Sequence, residues 1–123
     1  MTDTVDGLPT RLAQVLQRAH CAELAAVGTE RREAWRTTGE LLGAAMVAGY
    51  SSQVLARCLG VSRESIRTRA ERDGWVSASS VQRIGELGAD IRRSWDAAGH
   101  PVTTVDGTVL YPALDLVRAL ASD

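Results

Sequence analysis

The feature that most constrains this chain is a pair of short apolar-patterned segments, Gln53–Leu59 and about Arg63–Asp73, separated only by Gly60-Val61-Ser62. So brief a connection forces two helices to turn sharply against each other. The residues suit that demand. Gly60 can take a left-handed turn conformation at low cost. Ser51 or Ser52 can cap the first helix and Ser62 the second, by accepting backbone N–H bonds. Ala56 is small where the helices would touch. Leu55, Leu59, Val61 and Ile66 are apolar on either side of the turn. Gly74 suits the end of the second helix.

The run Leu55-Ala56-Arg57-Cys58-Leu59-Gly60-Val61-Ser62-Arg63-Glu64-Ser65-Ile66 resembles the helix-turn-helix of DNA-binding proteins. The likeness extends over Ser51–Trp75, and its end, Arg69-Ala70-Glu71-Arg72-Asp73-Gly74-Trp75, looks like that of phage and bacterial regulators and of phage packaging small subunits. One departure is Arg69, where many members carry an apolar residue, with Ala70 available for that packing. The resemblance implies that the second helix would enter the major groove of double-stranded DNA. Its base-reading residues would be Arg63, Arg67 and Thr68, with Ser62, Glu64 and Glu71 on the same front. Ser52, Gln53, Arg57, Arg69 and Arg72 would meet the phosphate backbone. An arginine fork that bonds guanine O6 and N7 together discriminates by roughly 1–3 kcal/mol. The plainer alternative is a solvated face carrying an Arg67–Glu71 pair, worth a few tenths of a kcal/mol.

Charge distribution bears on this expectation. The formal net charge is −1, which counts against a bulk-electrostatic nucleic-acid binder. Residues 51–77, however, hold five arginines against three acids, whereas both flanking segments are net acidic. Any DNA affinity should therefore be modest per protomer and strongly salt-dependent. Lys, Asn and Phe are absent, the composition of a GC-rich genome such as that of an actinobacterium or its phage. Every basic side chain is thus a planar guanidinium apart from histidine.

Upstream, residues 1–8 read as a flexible tail. Leu12, Val15, Leu16, Ala19, Ala22 and Leu24 then mark an N-terminal helix in residues 9–28, available for dimerisation. Gly28 interrupts the pattern, and Thr29 could cap a helix Glu30–Ala48 that completes the DNA-binding unit, residues 29–76. Trp35, Trp75 and Trp95 are expected in the core. Cys21 and Cys58 are expected as buried free thiols.

Residues 77–123 read as a degenerate second unit. Displaced by 25 residues, Ala56, Leu59, Gly60, Ile66, Arg67 and Gly74 fall on Val81, Ile84, Gly85, Ile91, Arg92 and Gly99. Gly99-His100-Pro101 then leads into two β-branched runs around Asp106-Gly107, a strong hairpin signal, and a helix Pro112–Ala121. That order is similar to the winged helix-turn-helix of excisionases and MerR-type regulators. The resemblance implies Arg92, Arg93, Thr103 and Thr104 as secondary DNA contacts. The hairpin carries Asp106 and no arginine, so a structural or protein-docking role stands beside it.

The expected fold is therefore mainly α, a helix-turn-helix bundle with a small β-hairpin wing near the C-terminus. The expected function is sequence-specific double-stranded DNA binding as a transcriptional regulator, a repressor of phage or mobile-element type. The alternatives are an architectural excisionase-like or packaging-subunit-like accessory protein, and a protein–protein adaptor. A homodimer is expected, with a further protein partner through residues 77–123 as an option. The sequence offers no catalytic constellation, no metal-ligand spacing and no cofactor motif, so enzymatic activity is not expected. Neither a signal peptide nor a membrane span is expected, which places the protein in the cytoplasm at the nucleoid.

Overall fold

Leu12, Val15, Leu16 and Ala19 recur at helical spacing and close one face of α1 (Thr10–Ala25). The structure, a computed structural model, describes residues 4–5, 7–84, 92, 93, 95 and 102–121. The buried stripe of α1 continues through Glu23, whereas Ala22 and Leu24 point to solvent. Cys21 is also exposed, so only Cys58 is a buried thiol. Ahead of α1, β1 (Thr4–Val5) and β2 (Leu8–Pro9) pair antiparallel. The flexible tail expected over residues 1–8 therefore does not include Leu8, which is wholly buried in the core.

Gly28, with φ +61°, separates α1 from α2 (Gly28–Val47). The cap position is Val27 rather than Thr29, which lies inside the first turn. Next come α3 (Ser52–Leu59) and α4 (Arg63–Arg69). β3 (Trp75–Ser77) leads directly into α5 (Ala78–Arg83), capped by Ser77 Oγ, which accepts from Ser80 N. The chain ends in β4 (Thr103–Val105), β5 (Thr108–Pro112) and α6 (Ala113–Ala121). The expected Asp106-Gly107 turn is present, with φ of +50° and +78°. Two positive φ values in a two-residue loop match the right-handed twist of the flanking strands.

The sheet has the order β3-β5-β4, antiparallel throughout. Val76 faces Tyr111 across β3 and β5, and Thr104 faces Val109 across β4 and β5. The β4–β5 hairpin is thus tied to β3, the strand that follows α4. Beside the sheet Val81 and Ile84 are buried. Gly85, Ile91, Gly99, His100 and Pro101 lie outside the described residues. Trp95 is buried and meets Tyr111 edge-on, with ring centroids 5.3 Å apart.

One apolar cluster runs from Leu8 to Leu120 and joins both halves. α1 packs on α2, α3 and α6, so its apolar face is occupied inside the chain and is not free for dimerisation. No helix among the described residues is long and apolar enough to cross a membrane.

The tightest approach involves α2 and the chain leaving α4. A Cβ on Gly39 would lie 2.8 Å from the Arg69 carbonyl oxygen, and one on Gly43 would overlap the Glu71 backbone. Glu71 N donates to Gly39 O at 3.1 Å. In an exposed helix interior, Gly→Ala would stabilise by about 1 kcal/mol. Here Gly43→Ala should instead destabilise by about 3 kcal/mol or more, because backbone cannot step aside as a side chain can. A urea midpoint equal to or above that of the parent protein would overturn this packing.

Candidate nucleic-acid interface

The turn between α3 and α4 forms as its residues demand. Gly60 closes α3 in the left-handed region, φ +69° and ψ +33°. Val61 N donates to Ala56 O at 3.0 Å, so the helix end keeps its carbonyl satisfied. Ser62 Oγ accepts from Ser65 N at 3.1 Å and starts α4. Ile66 is buried and pins the second helix to the core, beside Leu55 and Ala56. Ser51 is the cap of α3, accepting from Val54 N.

These constraints turn one side of α4 outward. Ser62, Arg63, Glu64, Arg67 and Thr68 are all exposed, and Glu71 is exposed just beyond the helix. Among the described residues Arg63 and Arg67 have no acidic partner. The Arg67–Glu71 pair does not form. α4 stops at Arg69, not Asp73, because Ala70 is extended (φ −66°, ψ 122°) and Glu71 bonds across to α2. Gly74 does have a positive φ, but it serves the loop into β3 rather than a helix end.

Among the expected phosphate contacts, Gln53, Arg57 and Arg72 are exposed. Ser52 and Arg69 are not available in that way. Ser52 is buried in the first turn of α3. Arg69 turns inward, where it pairs with buried Glu23 of α1 and donates to Trp35 O at 3.3 Å. Its guanidinium also lies 4.9 Å from the Trp35 ring centroid. This explains the departure from the helix-turn-helix pattern: a polar clamp replaces the apolar contact at that position. It also explains Trp35, which is 45% exposed and not a core residue. Arg69 therefore orients α4 against α1 and α2.

In the second unit Arg92 and Arg93 are helical and exposed, and Arg93 has an interaction within the chain. Thr104 is exposed on β4, while the side chain of Thr103 lies outside what is described. The wing tip, Val105 to Val109, is exposed and carries no basic residue. Sequence reasoning missed Gly39, Gly43 and Glu23. The two glycines at four-residue spacing in α2 were the available signal for a close backbone approach. Comparison with protein families, curated proteins and solved structures finds no match for the chain.

Two outcomes follow for this region. Arg69→Ala leaves Glu23 buried without its partner and should cost roughly 3 kcal/mol, read from chemical denaturation. Restoration by a second change, Glu23→Leu, would separate the charge penalty from lost packing. Glu71, though exposed as a residue, has its carboxyl raised above the ordinary 4.5 by partial desolvation, with repulsion from Glu40 and then Asp73 adding to it. The folded state holds that proton more tightly than the unfolded chain does, so ionised Glu71 opposes folding above its raised folded pKa. The penalty fades as pH falls through that value and is gone below the unfolded one. Glu71→Gln should thus raise stability near pH 7 and confer no advantage near about pH 4.

Proposed function

We propose that the chain is a sequence-specific double-stranded DNA-binding protein, a transcriptional regulator whose α4 reads the major groove. One observation carries this reading: the capped α4, positioned by Gly60, Ile66 and the Arg69 clamp, presents Arg63, Arg67 and Thr68 outward, with neither guanidinium partnered among the described residues. Two arginines one helical turn apart can each form a fork to guanine, and Thr68 can pack on a thymine methyl. Gln53, Arg57 and Arg72 would hold phosphates. Such a protein would act at the nucleoid, as a repressor when its site overlaps a promoter.

A second reading is an architectural accessory protein of excisionase-like or packaging-subunit-like type. The shared sheet favours it. β3, α5, the β4–β5 hairpin and α6 follow one another in the order of a winged unit, fused through β3 to the first helix-turn-helix. Two linked units on one duplex would span and bend it. Circular-permutation gel shifts separate the readings by whether bound DNA is bent. A homodimer reaching successive major grooves about 34 Å apart would pair through a surface other than the buried face of α1.

Arg63→Ala with Arg67→Ala tests the interface itself. Against a duplex obtained by in vitro selection, each change should cost about tenfold or more in affinity. Binding to random duplex should fall far less. Unchanged specific binding in the double variant would favour a protein-docking adaptor.

A further inference from the structure

We propose that Arg31, Arg32 and Trp35 on α2 form a second DNA contact, one that grips the sugar-phosphate backbone of the duplex beside the stretch read by α4. The inference rests on the DNA-binding reading above and adds residues that it does not contain. The first turns of α2 hold a nearly balanced set of charges, Glu30, Arg31, Arg32, Glu33 and Arg36. The acids are committed within the chain. Glu30 pairs with Arg83 of α5, and Glu33 pairs with Arg36 at 2.8 Å. Arg31 and Arg32 are exposed and, among the described residues, have no partner. The local balance in sequence thus becomes a positive patch in three dimensions.

The patch has shape as well as charge. Gly28, Arg31, Arg32 and Trp35 line an open cavity of about 250 Å³. Trp35 is a large ring left partly in solvent, against the usual tendency of tryptophan to be covered. A pair of guanidinium forks beside an indole suits phosphate oxygens and the sugar between them, since arginine binds phosphate through two parallel N–H bonds.

Its position favours the duplex over an unrelated acidic ligand. The Arg69 guanidinium covers the Trp35 ring, and Arg69 is the last residue of α4. Glu71, two residues on, bonds to Gly39 of α2. Arg32 precedes Gly39 by seven residues, about 10 Å along the helix axis. That distance corresponds to roughly three base-pair steps of B-DNA. The patch therefore adjoins the C-terminal end of α4, and the proposal sets the duplex backbone against it there.

The test is a binding titration of the full chain against a selected duplex and a random one across several salt concentrations. It compares the parent protein, Arg31→Gln with Arg32→Gln, and Arg63→Ala with Arg67→Ala. The glutamine pair should weaken both duplexes alike and reduce the salt slope by about 1.8. The specificity ratio and the melting temperature should stay unchanged. An unchanged slope, alongside lost specificity in the Arg63/Arg67 variant, would overturn this inference and leave the first reading standing. A parent protein that binds no duplex would overturn both. A glutamine variant that keeps the slope but changes sedimentation mass would assign the patch to a second copy of the chain and overturn the DNA contact.

Discussion

The arrangement depends on the missing side chains of Gly39 and Gly43. They let the chain leaving α4 run against the backbone of α2, closer than any Cβ would allow. That contact ends α4 at Arg69, because Glu71 N takes Gly39 O as its acceptor. It thereby sets the length of α4. It also sends the chain on toward β3, the strand that anchors the wing. A bulkier residue at either position would displace the helix-turn-helix from the rest of the bundle.

Neighbouring residues of the same helix hold what comes next. Glu40 is buried, and its carboxylate accepts from Ser77 N at 3.0 Å, from Ser77 Oγ at 3.2 Å and from Ser80 Oγ. Ser80 Oγ also lies 3.2 Å from Thr37 Oγ1. A buried carboxylate is tolerable only when such donors surround it. Glu40 therefore fastens the first turn of α5 and the end of β3 to α2, just after Gly39 has fastened the end of α4. The polar network and the glycine contact together make α2 the spine on which α4, β3 and α5 are registered.

Local chemistry made much of this legible in the sequence. Gly60, Ser62 and Asp106-Gly107 act through their own backbones, so their turns follow from residue type and spacing. Ile66 and Leu55 are buried for the same reason, since helical period alone places them inward. What escaped was decided at long range. Glu23 is buried and Leu24 exposed because Arg69, 46 residues away, supplies the partner charge. Trp35 left the core because α4 brings that same guanidinium over its ring. β3 joined the wing through a partner strand that no window of neighbouring residues contains.

The same distinction governs the arginines. A count along the sequence treats all 14 as equivalent. In the fold, Arg36, Arg69 and Arg83 balance Glu33, Glu23 and Glu30. Arg31, Arg32, Arg57, Arg63, Arg67, Arg72, Arg92 and Arg118 are exposed and have no partner among the described residues. The available positive charge is thus distributed over α2, α3, α4, the loop after α4, Arg92 and α6, and not confined to the basic stretch around the turn. A net charge of −1 then ceases to argue against a nucleic-acid partner, because what a phosphate backbone meets is the field of the face presented to it. On the proposed reading, the acidic remainder would keep non-specific affinity low, and binding at physiological salt would draw on base contacts from α4 as well as on charge.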